Sequence, residues 1–240
     1  MKWIVRGRLG KKMKTIGLIG GMSWESTTTY YQLINETIKK KLGGLHSAKI
    51  LLYSVDFAEI ERYQAIGIKS AQVLGDAACK LEQAGADFIV ICTNTMHKVA
   101  PQIQERLSIP ILHIAQATAD ILLEQGIRKV GLLGTKYTMT QDFYKEKLFE
   151  SGLDVLIPDA SGVETVNTII YDELCLGTIR EESKQTYLNI IEQLRGAGAQ
   201  AVILGCTEIG LLVKQTDTDM PHFDTTLIHA EKAAMAAVNR

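Results

Sequence analysis

The sequence predicts an α/β protein made of two similar halves, each built on a parallel sheet. Three observations carry that prediction. Five apolar runs rich in β-branched residues alternate with amphipathic helical stretches, the pattern of strand–helix–strand crossovers. The runs are continuous rather than alternating, as expected of strands covered on both faces. Two pairs of segments also repeat at nearly one spacing. TIGLIGGM, from Thr15, lies over KVGLLGTK, from Lys129, at an offset of 114, and LEQAGADFIVICTNT, from Leu81, lies over LRGAGAQAVILGCTE, from Leu194, at an offset of 113.

Taken in order, MKWIVRGRLGKK (1–12) is basic and unpatterned. It lacks the apolar stretch and small-residue cleavage site of a signal peptide. It is read as a disordered leader, with folding beginning near Met13. TIGLIG (15–20) is the first strand, followed by the helical pattern TYYQLINETIKKKL, which the pair Gly43-Gly44 stops. KILLYSV (49–55), DFIVIC (87–92), KVGLLG (129–134) and AVILGC (201–206) read as the remaining strands. The repeat divides the chain into a first α/β domain, 13–110 plus 224–240, and a second, 111–223. A site is expected at their interface.

Composition narrows the function. The chain has 240 residues, 46% of them hydrophobic, and a net charge of -1. That balance gives no electrostatic case for nucleic acid or an acidic membrane as partner, and no apolar run reaches membrane-span length. Cys79, Cys92, Cys175 and Cys206 are widely spaced with no CxxC, which argues against a disulfide framework or zinc ribbon and fits a reducing cytoplasm. The histidines have no metal-ligand spacing. GLIGGM is not GxGxxG, and GTKYT is not a Walker loop. No lysine stands out as a Schiff-base candidate. Neither a metal nor a cofactor is expected.

The strand Phe88–Cys92 runs into Thr93-Asn94-Thr95, and the repeat lays Thr93 over Cys206. If strand alternation persists, Cys92 faces the opposite way from Thr93, into the core. A thiol at a strand–helix junction is expected to have its pKa lowered by the helix dipole, and a thiolate serves as base or nucleophile. Ser23, Thr95 and Thr207 mark helix N-termini, natural seats for a small carboxylate. A Cα held between two proton-transfer groups describes racemisation or a related carbanion reaction. The same residue types are ordinary N-caps, and spacing leaves both readings open. His97, one turn further on, reads as a helix-surface or packing residue.

GLIGGMSWEST, CTNTMHK and GCTEIGLL, extended by LGGLHSA, SVDFAEIE, LGTKYTMTQDFY and YDELCLG, resemble the aspartate/glutamate racemase family. They are most similar to its bacterial branch of L-aspartate/glutamate-specific, broad-specificity racemases. The resemblance implies two Rossmann-like domains related by pseudo-two-fold symmetry, a homodimer, no cofactor, and a two-base mechanism at the domain interface. It implies Cys206 as the base acting on the L-substrate and Thr93 as the group on the opposite face. Met22, Gln64, Asn94, Thr95, Thr207 and Glu208 match substrate-contacting positions; Ser23 is a further candidate. Glu208 also reads as a carboxylate favoured at a helix N-terminus. Thr165 stands where relatives carry a lysine that pairs with a second carboxylate. Alternatives are a non-catalytic amino-acid-binding protein and a diacid isomerase or decarboxylase using the same cleft.

Overall fold

A computed structural model describes residues 13–64 and 68–239. The expected leader, 1–12, lies outside the described residues. The first half runs β1 (Thr15–Gly20), α1 (Trp24–Leu42), β2 (Lys49–Ser54), α2 (Phe57–Gln64), α3 (Ile68–Gln83), β3 (Phe88–Ile91), a 3-10 turn (Thr95–Val99), α4 (Ala100–Gln104) and β4 (Ile111–Leu112). The chain then passes through α5 (Ile114–Glu124), β5 (Lys129–Gly134), α6 (Lys136–Thr140), α7 (Asp142–Glu150), β6 (Asp154–Leu156) and α8 (Ala160–Asp172). It closes with α9 (Glu181–Gly196), β7 (Ala201–Gly205), α10 (Ile209–Leu212), β8 (His222–Asp224) and α11 (Thr225–Val238).

The strands form two four-stranded sheets, ordered β2-β1-β3-β4 and β6-β5-β7-β8, and every pairing is parallel. The orders correspond element by element, so the repeat seen in the sequence is a repeat of topology. It extends to packing. A methyl on Gly17 would meet Ile89 Cδ1 at 2.8 Å and Leu81 Cβ at 3.3 Å, and one on Gly131 would meet Leu194 Cδ1 at 2.8 Å and Leu194 Cβ at 3.4 Å. Both glycines let the helix before the third strand lie close on the sheet, where extra volume costs about 1–3 kcal/mol.

Each sheet is covered on both faces. Ile16, Leu18 and Val90 meet Tyr30, Ile34 and Ile38 of α1 and the alanine stripe Ala230, Ala233, Ala234 and Ala237 of α11. Tyr30, Ile34 and Ile38 recur every fourth residue, the helical period of a buried stripe. The Ser23 hydroxyl caps α1 by accepting from Ser26 N–H at 3.3 Å. At the other end Gly43, at φ 73°, adopts a conformation that a side chain disfavours, and Lys39, Lys40 and Lys41 complement the dipole there.

The seam is made by two crossings. Helix α5 follows β4 of the first sheet but packs on β5 and β7 of the second, while α11 follows β8 of the second and packs on the first. The first sheet therefore continues past residue 110, through Ile111–Leu112. Three strands are absent from the sequence expectation, β4, β6 and β8, of 2, 3 and 3 residues. Runs so short carry no readable period. Among the described residues no helix is long and apolar enough to cross a membrane.

Candidate active site

The polar end of β3 is used across the seam. Thr225, which opens α11, donates its hydroxyl proton to the Leu204 carbonyl at 2.9 Å. It can therefore only accept from Asn94, whose Nδ2 lies at 3.0 Å. That fixes the orientation of the Asn94 amide and leaves its Oδ1 buried without a hydrogen-bond partner among the described residues. The Thr95 hydroxyl is 3.4 Å from that of Thr135, the N-cap of α6. The Lys98 ammonium lies 5.2 Å from the Tyr137 ring centroid in the second half. Thr93 is half-buried between these contacts and the strand, while Cys92 is 0% exposed and packs with Ile16, Leu18 and Tyr30 in the core.

The end of β7 makes the reciprocal contact. Cys206 Sγ donates to Glu208 Oε2 at 3.0 Å, and the Thr207 hydroxyl donates to the same oxygen at 2.6 Å. With its proton committed, Thr207 accepts from Ser26 of the first half at 2.7 Å, and Ser23 donates in turn to Ser26 at 3.3 Å. A chain of hydroxyls thus crosses the seam and ends on the carboxylate that holds the thiol. The motifs of the sequence do not single out Ser26; its place three residues after the cap Ser23 is the signal that points to it.

The thiol differs from expectation. Burial pushes the Cys206 pKa well above the usual thiol value, and the Glu208 charge and hydrogen bond push it the same way. The Glu208 backbone N–H at the start of α10 lowers it but does not prevail. Helix α10 has only four residues, and the segment after Thr93 is a five-residue 3-10 turn. Glu208 makes no cap hydrogen bond, so its carboxylate serves the thiol instead. Cys206 therefore rests as a protonated thiol with the Glu208 side chain at its proton. Tyr171, which packs against the same core cluster as Cys206, is raised to about 12, by burial first and then by Cys206.

The other candidates fall unevenly. Met22 is 5% exposed and packs beside Ile60 and Ile91 at the end of β1. Gln64 closes α2, and its side chain lies outside the described residues. The Thr165 hydroxyl donates to Ser161 O at 2.9 Å within α8, so position 165 offers no cation. Nearby, the Lys136 ammonium is paired with Glu164. A cavity of about 460 Å³ lies elsewhere, between α4, α5 and α7, lined in part by His113, Gln116, Asp120, Lys147 and Lys232. Neither Thr93 nor Cys206 lines it.

Three histidines meet near the Thr93 turn. The His97 ring centroid is 4.6 Å from that of His113 and 5.7 Å from that of His229. His97 is 1% exposed, so the surface reading of that residue does not hold. The His229 Nε2 proton goes to Leu112 O at 2.8 Å, since a carbonyl only accepts, and Nδ1 accepts from Tyr30 at 2.9 Å. Burial lowers all three pKa values, to about 4 for His113 and His229. Lys147 lowers His113 further and Glu150 opposes that shift. These folded values lie below the unfolded value of about 6.5. Between the two the unfolded chain binds more protons, so stability is full above about pH 6.5 and is lost as pH falls toward 4. Thermal unfolding is expected to show Tm declining from about pH 6.5 downward. A Tm that is flat between pH 7 and pH 5 would contradict this.

Comparisons with known proteins bear on the same site. The family model of Asp/Glu/Hydantoin racemases matches residues 19–233. The chain is similar to a proposed Asp/Glu racemase from Yersinia pestis, whose crystal structure superposes with a TM-score of 0.91 at 55% identity over 95% of this chain and 100% of that one. It is similar to an aspartate racemase homologue from Pyrococcus horikoshii OT3, with TM-score 0.84 and 38% identity over 94% and 99% of the two chains. The broad specificity amino-acid racemase RacX of Bacillus subtilis is 23% identical over 88% of this chain and 92% of its own length. Thus the chain, with its two matched sheets and a thiol–carboxylate pair at their seam, belongs to the Asp/Glu/Hydantoin racemase family, and it is an isomerase with amino-acid racemase activity.

Proposed function

We propose that the protein racemises aspartate, glutamate or a related amino acid without a cofactor, by proton transfer on the two faces of Cα. The observation that carries this reading is the 3.0 Å hydrogen bond from Cys206 Sγ to Glu208. Cys206 is half-buried, and a protonated thiol is a poor base until something takes its proton; Glu208 is in place to do so. Cys206, as thiolate, removes the Cα proton of the L-substrate. The Thr93 hydroxyl delivers a proton to the opposite face, and the alkoxide left behind is reprotonated from solvent. Asn94 Oδ1 supports the reading. A buried acceptor without a partner costs about 1–3 kcal/mol, and a substrate ammonium would relieve that cost. Met22, Gln64, Thr95, Thr207 and Glu208 complete the proposed substrate contacts, by their match to the family motifs.

Within the same proposal the chain is a cytoplasmic homodimer, and its domains, expected as 13–110 with 224–240 and 111–223, are shifted by the short strands so that Ile111–Leu112 joins the first and Asp224 the second. The test is incubation of pure protein with each amino acid in deuterated buffer, followed by chiral chromatography and mass analysis of Cα. The expected result is inversion of aspartate or glutamate with one deuterium gained per inversion. Full retention of configuration and of the Cα proton across the whole panel would overturn the reading.

A further inference from the structure

His97 lies outside the mechanism above, yet it is the side chain fastened to the backbone of Thr93. A carbonyl only accepts, so the 2.8 Å contact between His97 Nδ1 and Thr93 O requires the proton on Nδ1. A backbone N–H only donates, so the 3.2 Å contact from Ile114 N requires Nε2 to be the acceptor. Two independent contacts fix one neutral tautomer. Burial first, and then His113 and His229, hold the ring's pKa well below the usual value, against the opposing pull of the Thr93 and Leu112 backbone contacts. A cationic ring would lose the Ile114 contact. Ile114 opens α5, the helix that crosses to the second sheet. One imidazole therefore ties the turn carrying Thr93 to the first residue of an element packed in the other half.

From this geometry we infer that His97 is a positioning residue for the proton transfer at Thr93, setting where the Thr93 hydroxyl stands against a Cα held at the seam. The inference rests on Thr93 being the second proton-transfer group. Among the described residues the Thr93 N–H is held only by a 2.9 Å contact with Ile91 O, at the end of β3. Displacing a reacting group by about 1 Å can cost on the order of 10²-fold in rate, so a lost anchor should show in the step that uses Thr93 and spare the step that uses Cys206. Cys206 is held by its own partner, Glu208, which His97 does not touch.

Two substitutions separate the ring's two bonds. In His97→Asn, the amide nitrogen can stand in for Nδ1 and keep the Thr93 contact. In His97→Gln, the longer side chain places its amide oxygen near the position of Nε2, keeping the Ile114 contact and losing the Thr93 one. The readout is the ratio of Cα deuterium exchange without inversion to inversion, starting from the L-amino acid that the wild type racemises fastest. Loss of Thr93 alone leaves Cys206 able to remove and return a proton, exchanged through Glu208, so the ratio should rise about tenfold or more in His97→Gln. It should stay near wild type in His97→Asn. A purely structural role would lower exchange and inversion together in both variants, and that result overturns the inference.

A second measurement needs no substitution. Long-range ¹⁵N–¹H correlation on histidine-labelled wild type should show His97 protonated at Nδ1; a proton on Nε2 overturns the inference even if the variants fail to fold. A wild type that inverts no amino acid would instead remove the proposed function, and it is distinguishable because the tautomer would be unchanged.

Discussion

Cys206→Ser is expected to abolish racemisation, with a loss on the order of 10²–10⁴-fold or more, the span ascribed to a positioned acid–base group. Serine keeps the hydrogen bond to Glu208, so the fold around the seam should survive. What it lacks is an anion accessible near neutral pH, because an alcohol is a far weaker acid than a thiol. Cys92→Ser is the matched control. Cys92 is 0% exposed among Ile16, Leu18 and Tyr30, and burial alone drives its thiol pKa up. A hydroxyl buried there without a partner costs about 1–3 kcal/mol, so Tm should fall while kcat per folded molecule is kept. The measurements are thermal unfolding and saturating initial rates for both variants. Equal loss of kcat in two folded variants would mean that the strand register separating Cys92 from the chemistry is wrong.

The different fates of these cysteines are readable in the sequence itself. A period-two strand puts Cys92 and Thr93 on opposite sides, and the offset between halves lays Thr93, not Cys92, over Cys206. The continuous runs of β1, β3, β5 and β7 are equally legible because strands buried on both faces need apolar residues at every position. The edge pieces Ile111–Leu112, Asp154–Leu156 and His222–Asp224 are not, since two or three residues carry no period. At the site, the positions are legible but the electrostatics are not. The helix-dipole argument for Cys206 assumes a helix long enough to have a dipole, and helix length after a strand depends on tertiary contacts that no local pattern encodes. The Ser26–Thr207 contact and the His97–Ile114 contact join residues 181 and 17 apart in sequence. Such contacts follow from how the halves dock, so the neighbours of His97 along the chain leave a surface and a packing role both open, and burial decides for packing.

Thr93→Cys is expected to raise kcat for the D-enantiomer much more than kcat for the L-enantiomer. On the proposed mechanism, Thr93 in the L-direction only has to give a proton to a carbanion, a step that even a weak acid performs readily. In the D-direction it must first take one, and a threonine alkoxide is scarcely populated near neutral pH, whereas a thiolate is within reach. The structure adds two conditions. The turn after Thr93 is a five-residue 3-10 segment, so a thiol there gains little from a helix dipole, and among the described residues no carboxylate holds Thr93 as Glu208 holds Cys206. The backbone, however, is fixed by His97 on the carbonyl and by Ile91 O on the N–H, so Cβ should keep its place. Sulfur is larger than the oxygen it replaces and the threonine methyl is lost, so the cleft must repack. The gain is therefore expected to be on the order of tenfold, below what an ideally placed base contributes. Enantiomers have equal free energies in water, so kcat/KM must remain equal in the two directions whatever the variant. The rise in kcat for the D-substrate must accordingly appear with a rise in its KM relative to that of the L-substrate. Initial rates in both directions over a full concentration range read both quantities. A variant that stays folded, binds substrate and leaves kcat for the D-enantiomer unchanged would remove Thr93 from the proton path and move the second group to Asn94, Thr95 or a bound water.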